Sequence, residues 1–463
     1  MAVKPEEEVG SGSVDASAAR PSTRTSELDL TKSSTGPVWR QYLRAMGPGL
    51  VTGASDDDPS GIATYSQAGA RYGLAFLWTA LLTLPLMAAV QEICDRTALA
   101  TGTGLGELAI KRFHRAGRAI VSVLLVALVV ANALNIAADL VAIGEGMQLL
   151  HAGPAWLWGL LAGGLITVLL VLGSFARISL VFKLLCAALL SYIVVAIIVT
   201  HRWGSVLSHT FIPHIELNGV YLALLVAVLG TTISPYLFFW QSAHRLEEMR
   251  DEPEGGTQAL PLKRQSPARA RRKQATSRLD VFVGMTFSNL VMFAIIVATA
   301  DLNAHNKTYI QSAAQAAEAL KPLAGHFASA IFALGFIGSG LLTIPVLAGS
   351  GSVGLAGLLG KQWGFSRSVR KAPVFYGLVA LGTLGGTALS LLQVNPIKLL
   401  VLVAVINGIA AAPFLVVVML VSSSHRLMGK YVNGKAATIL GWLTVAIMTV
   451  AAIALFATGG ISL

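Results

Sequence analysis

The sequence predicts an all-α, polytopic membrane protein with about eleven transmembrane helices, arranged as a five-plus-five inverted repeat plus one extra helix. Three observations carry this. Charged residues make up 12% of the 463 residues, about half the ~25% of a soluble globular chain. Hydrophobic residues make up 54% and mean hydropathy is +0.69, so there is too little polar surface to cover a water-soluble body. Apolar runs long enough to cross ~30 Å of hydrocarbon then recur from Met46 onward.

Along the chain, residues 1–43 hold Pro5, Glu6 to Glu8 and much Ser, Thr and Gly. They read as a disordered tail, and no apolar stretch follows a basic start as in a signal peptide. The spans fall near 45–72, 74–99, 118–149, 154–174 and 177–200, closing a first repeat over 44–202. A second repeat over 218–421 holds spans near 218–243, 279–300, 325–359, 370–392 and 396–421, the third of these with room for an internal break. The extra helix lies within 436–460. Residues 247–278, rich in Pro, Gln, Ala and Arg, form a long cytoplasmic loop and read as a solvated linker, with contact to anionic lipid as the alternative.

Loop charges set the orientation. Lysine and arginine cluster in alternate connections: Lys111 to Arg118, Lys263 to Lys273, Lys361 to Lys371, and Arg426 to Lys435. The positive-inside rule places the N-terminus in the cytoplasm. The same distribution explains the net charge of +11 as membrane topology and argues against a nucleic-acid partner. Only two cysteines occur, Cys94 and Cys186, both in apolar runs, which excludes a disulfide scaffold and a cysteine-built zinc site. Asn306-Lys307-Thr308 matches a glycosylation sequon, a pattern short enough to arise by chance.

An inverted repeat is tested by helix breakers at matching places in its halves. The first span carries Ser55-Asp56-Asp57-Asp58-Pro59-Ser60-Gly61, and the sixth Gly230-Thr231-Thr232-Ile233-Ser234-Pro235-Tyr236. Pro59 and Pro235 each remove a backbone donor in mid-span, so both helices should unwind there. Freed carbonyls are tolerated at that depth only where they line a polar cavity. Three adjacent carboxylates in a membrane helix cost at least ~2.5 kcal/mol each, with no Lys or Arg near them in the span to offset them. A bound cation or protons would. Asp58 is the expected principal ligand, with the carbonyls near Ser55 and Thr231 and the Ser234 hydroxyl completing the cavity. Asp56, Asp57, Gly61, Tyr236, Gln241, Asp139 and Asn407 are placed around it or along the access path. For Asp139 and Asn407, helix-helix hydrogen bonding is the competing reading. The run Gly349 to Gly354 lacks the Lys-Ser/Thr of a phosphate loop and reads as small-residue helix packing.

Gly-Pro-Gly-Leu before the first break, Asp58-Pro59 within it, Gln67-Ala68-Gly69-Ala70 after it, and Pro235 resemble the Nramp divalent-metal transporters from about Arg44 to Val421. The resemblance implies an integral protein of the bacterial plasma membrane. Its metal would sit between an Asp-Pro-Gly-Asn break in the first span and an Ala-x-x-Met-Pro-His break in the sixth. The departures matter. The Gly and Asn after Asp58-Pro59 are Ser60 and Gly61, the methionine is Ser234, and the two histidines are Tyr236 and Gln241. In the third span, Ile136 stands at one position of the family's acidic pair and Asp139 replaces a glutamate at the other. These changes resemble the Nramp-related branch associated with magnesium transport.

Losing the thioether removes a preference for soft metals. Fewer protein ligands suit an ion that keeps its waters, such as Mg2+, with Mn2+ following. Tyrosine and glutamine do not titrate near neutral pH, so weak or absent proton coupling is expected. Two readings remain: a transporter of divalent cations with no cofactor beyond the transported ion, or a cation-coupled symporter of amino acids or other organic solutes. In the second, Tyr65, Tyr236 and Phe239 would line an amine pocket beside Asp58. No nucleophile elbow or paired-histidine motif points to an enzyme.

Overall fold

A computed structural model describes residues 48–172, 203–252, 259–305, 328–392 and 395–459, with the isolated residues 189–190, 192–194, 196–197, 310, 312 and 314–315. The tail, most of the expected fifth span and the Asn306 sequon lie outside the described residues. Among those described there is no strand.

The first span is broken as its prolines require. Helix α1 (Pro48–Asp56) stops, Asp57 and Asp58 are non-helical, and α2 (Pro59–Tyr72) begins with its proline in the first turn, where a missing N–H costs nothing. A 3-10 turn leads into α3 (Leu77–Thr101), which ends on Gly102 in the left-handed conformation (φ 63°). A short α4 (Leu105–Arg112) precedes α5 (Arg115–Leu149) and α6 (Ala155–Leu172). After α7 (Trp203–Phe211) the pattern restarts. Helix α8 (Gly219–Thr232), capped by Asn218, stops before Ser234, and α9 (Pro235–Asp251) again opens on proline. Then follow α10 (Pro267–His305), α11 (Ala328–Leu358), α12 (Pro373–Ser390) and α13 (Pro396–Ser422). A turn of helix, α14 (His425–Met428), leads to α15 (Lys435–Ala457). Among the described residues, eight helical stretches are long and apolar enough to cross a membrane, and Ala155–Val171 is a shorter apolar helix.

Two expectations change. Within its described residues the eighth expected span holds no break: α11 runs unbroken through Pro345. The long loop is shorter than 247–278, because α9 continues to Asp251 and α10 starts at Pro267. Arg269, Arg271, Arg272 and Lys273 therefore lie in the first turns of a long helix and not in a linker. The Gly349–Gly354 run is helical and close-packed on α5, where Asn132 Nδ2 donates to Leu347 O (2.8 Å) and Ser350 Oγ (3.1 Å).

From Gly47 onward the helices form one unit. Helix α10 packs along α1, α2 and α3, α11 on α5, α13 on α8, and α15 on α13 and α3. The broken sixth span is buried along its apolar length. Outer helices turn leucine and valine outward, as at Val126, Leu165, Leu384 and Val450, which only lipid would tolerate in such number. The basic connections meet at one end: Lys111, Arg112 and Arg118 share a hollow with Arg426, and Lys263 Nζ donates to Leu427 O.

Candidate functional site

The two breaks face each other, and the polar groups between them are almost wholly removed from solvent. Ser55, Asp56, Asp57, Asp58, Thr231 and Ser234 are all buried. Asp58 caps α2 in an extended conformation (φ −66°, ψ 169°). Its Oδ1 accepts from the Gly61 N–H and the Ser60 hydroxyl, both at 2.6 Å, and lies 3.4 Å from Thr231 Oγ1. Its Oδ2 has no hydrogen-bond partner. One oxygen therefore fixes the carboxylate and the other is uncommitted.

The carbonyls released by the prolines are treated alike. In an unbroken helix the residue-59 amide would bond Ser55 O and the residue-235 amide Thr231 O. Proline supplies neither. Tyr236 Oη donates to Ser55 O instead (3.1 Å), and Ser234 Oγ approaches Thr231 O (2.9 Å) and Gly230 O (2.7 Å). Each carbonyl keeps a second lone pair. The Ser234 hydroxyl, expected to face the cavity, turns its proton back onto its own helix end.

The three aspartates do not act as one cluster. Asp56 Oδ2 accepts from Ser288 Oγ on α10 (2.7 Å), whereas both Asp57 oxygens lack a partner. Among the described residues no three His, Cys, Asp or Glu side chains gather closely enough to hold a metal ion. No ion pair reaches Asp56, Asp57 or Asp58 among them either. What remains is one oriented carboxylate with hydroxyl and carbonyl oxygens about it, a hard, all-oxygen donor set. A Cβ at Gly61 would sit 3.0 Å from Thr231 Oγ1, so the bare backbone there leaves Thr231 its place beside Asp58.

The remaining expected residues scatter. Asp139, on α5, is buried with both oxygens unpartnered and lies within electrostatic range of Asp58. Asn407 is not directed to the cavity by its hydrogen bonds: it exchanges them with Asn135 on α5, at 3.2 and 3.4 Å. Gln241 is drawn away altogether. Its Nε2 donates to Asp95 Oδ1 (2.7 Å), part of a buried network that sequence reasoning missed. There Arg245 Nε donates to Asp95 (2.7 Å), Arg245 reaches Asp280 (3.2 Å), and Asp280 accepts from the Gly49 amide at the start of α1 (2.8 Å). Ser277 donates to the other Asp95 oxygen. The available signal was two carboxylates and an arginine at the ends of apolar spans.

Comparison with known proteins agrees with the fold. Residues 49–458 match the family described as "Nramp: Natural resistance-associated macrophage protein-like". The divalent metal cation transporter MntH of Verminephrobacter eiseniae is 30% identical over 402 residues, covering 84% of this chain and 83% of that protein. MntH of Klebsiella pneumoniae strain 342 is 28% identical over 429 residues, 90% and 95% of the two chains. Among solved structures, the Eremococcus coleocola manganese transporter in complex with an aromatic bis-isothiourea substituted compound superposes with a TM-score of 0.70 at 16% identity, over 91% of this chain and 87% of that one. MHP1, a nucleobase-cation-symport-1 family transporter, does so with 0.56 at 13% identity, over 89% and 92%. These two share the fold. With a family match from the first broken helix to the last helix and a relative at 30% identity over most of both chains, this protein belongs to the Nramp family.

Proposed function

We propose that this protein carries divalent metal cations across a membrane by alternating access, taking Mg2+ or Mn2+ partly hydrated at Asp58. Family membership and the relatives named as divalent metal cation transporters support the transport class. The observation that carries the site is the buried Asp58 carboxylate, held by three donors on Oδ1 and unsatisfied at Oδ2 between two broken helices. A buried anion without a partner is costly, and a cation offsets it. The oxygen-only surroundings and the serine at position 234 favour a hard, well-hydrated ion over a soft one. The basic end of the helices, by the charge rule, faces the cytoplasm of a bacterial cell.

The organic-solute reading shares the scaffold but loses its pocket. Tyr65 Oη is bonded to Thr232 Oγ1 (3.1 Å), Tyr236 Oη to Ser55 O, and Phe239 packs edge-on against Phe414 at 5.7 Å. These rings are committed to the protein.

Uptake into proteoliposomes, with Mg2+, Mn2+, Cd2+ and amino acids compared side by side, tests the assignment. Mg2+ and Mn2+ should enter, amino acids should not, and Asp58→Ala should abolish uptake while inserting normally. Wild-type uptake by that variant would sink the site. Calorimetric binding of Cd2+ far tighter than Mg2+ would sink the selectivity.

A further inference from the structure

Away from the ion site, the basic end of the molecule carries an open cleft of about 770 Å³ between α3, the first turns of α10 and the start of α15. Five cationic side chains line it, Arg96, Arg271, Arg278, Lys430 and Lys435, against one carboxylate, Glu92. That carboxylate is already shared, accepting from Arg96 Nε and Arg278 Nε, both at 3.0 Å. Arg96 is fixed further by Tyr431 O (2.9 Å) and Asn433 Oδ1 (3.0 Å). Arg271 and Lys435 are exposed and take part in no hydrogen bond or ion pair among the described residues. Positive charge thus exceeds negative in one concavity, a setting that attracts an anion.

A second feature points the same way. Helix α15 begins in the cleft on Gly434, with no side chain capping it, and Lys435, Ala436 and Ala437 line the wall. The first amides of a 23-residue helix, with the positive end of its dipole, are therefore unclaimed there. A third feature selects the anion. Ala89, Ala437 and Leu440 make part of the lining apolar, and alongside on α15 Ile439, Trp442 and Leu443 turn outward. Because α15 is apolar and long enough to span, its first residue stands at the level of lipid headgroups.

We propose that this cleft binds the phosphate headgroup of an anionic phospholipid. Arg271 and Lys435 meet the phosphate, the start of α15 donates to it, and an acyl chain descends over Leu440. Free phosphate satisfies the same cations but leaves the apolar part of the cleft bare. A lipid seated there ties α10 and α15 together.

The test is native mass spectrometry of the full chain released from nanodiscs of phosphatidylcholine mixed with phosphatidylglycerol. Wild type should retain phosphatidylglycerol in preference to phosphatidylcholine. Each cation removed should cost roughly fivefold in retention, the change that ~1 kcal/mol per basic residue gives, so Arg271→Gln with Lys435→Gln should lose about twenty-fivefold. Arg271→Lys should keep most of it, and so should Lys398→Gln, an exposed cation away from the cleft. Undiminished retention by the double variant overturns the proposal, as does an equal loss in Lys398→Gln, which would mean diffuse surface charge. Displacement of the bound lipid by inorganic phosphate alone would reassign the cleft to a soluble anion.

Discussion

Two prolines and the oxygens they release define the candidate site at the scale of single residues. Tyr236 hands its hydroxyl proton to the carbonyl orphaned by Pro59, and Ser234 does the same for Pro235. Removing a donor from a buried carbonyl costs ~1–3 kcal/mol when nothing replaces it. Tyr236→Phe should therefore destabilise the ion-free protein by about that amount, and a bound cation facing Ser55 O should restore part of it. The measurement is thermal unfolding in detergent with and without Mg2+. A larger Mg2+-induced rise in Tm for the variant than for wild type is expected, and equal rises would remove the Ser55 carbonyl from the ion cavity. The breaks at Pro59 and Pro235 were legible in the sequence because proline acts on its own chain four residues back. Gln241 is a different case, because of its hydrogen-bond partner. It lies six residues after Pro235, about 9 Å farther along a helix axis, and what it meets there, Asp95, is set by packing between α3 and α9 that no local pattern encodes.

Helix α1 has nine residues, too few to be stable alone in water, so its position depends on what holds it. One contact is a close seam with α10: a Cβ on Gly53 would run into the backbone of Gly284, so only glycine allows this approach. The other is electrostatic, through the Gly49 amide to Asp280, Arg245 and Asp95. Removing one partner of a buried ion pair costs ~3–5 kcal/mol, and Arg245→Met would leave two carboxylates facing each other. We expect that variant to release α1 at its Gly49 end. A cysteine placed by Val51→Cys, at a position wholly buried in this structure, should then react faster with a thiol reagent than in the parent with Arg245. Unchanged labelling would show that the helix is held without the Arg245 clasp. The sequence announced α1 and its break but not this clasp. Asp95, Arg245 and Asp280 each look like ordinary residues at a span's end until the helices are brought together.

For the molecule as a whole, the order of helices was the most legible level. Apolar runs of spanning length are a strong local signal, and the broken helix recurs at α1/α2 and α8/α9 as the prolines require. Less legible were the extent of α10 into the basic segment and the pairing of Asn135 with Asn407, both consequences of tertiary contact. Proton movement belongs to this scale, because coupling needs a titrating group tied to the alternation of the entire bundle. The groups opposite Asp58 on the sixth span are Tyr236 and Ser234, and the one farther along is Gln241, none of which changes charge near neutral pH. Asp139 is a buried carboxylate within electrostatic range of Asp58, and neither of its oxygens has a hydrogen-bond partner. Metal flux should accordingly run with little or no proton flux. A pH-sensitive dye inside proteoliposomes reads this during an inward Mg2+ or Mn2+ gradient. The expected trace is metal uptake with a steady internal pH. Metal-dependent acidification abolished by Asp139→Asn would instead make that carboxylate the proton carrier, coupling the ion to a proton without any histidine.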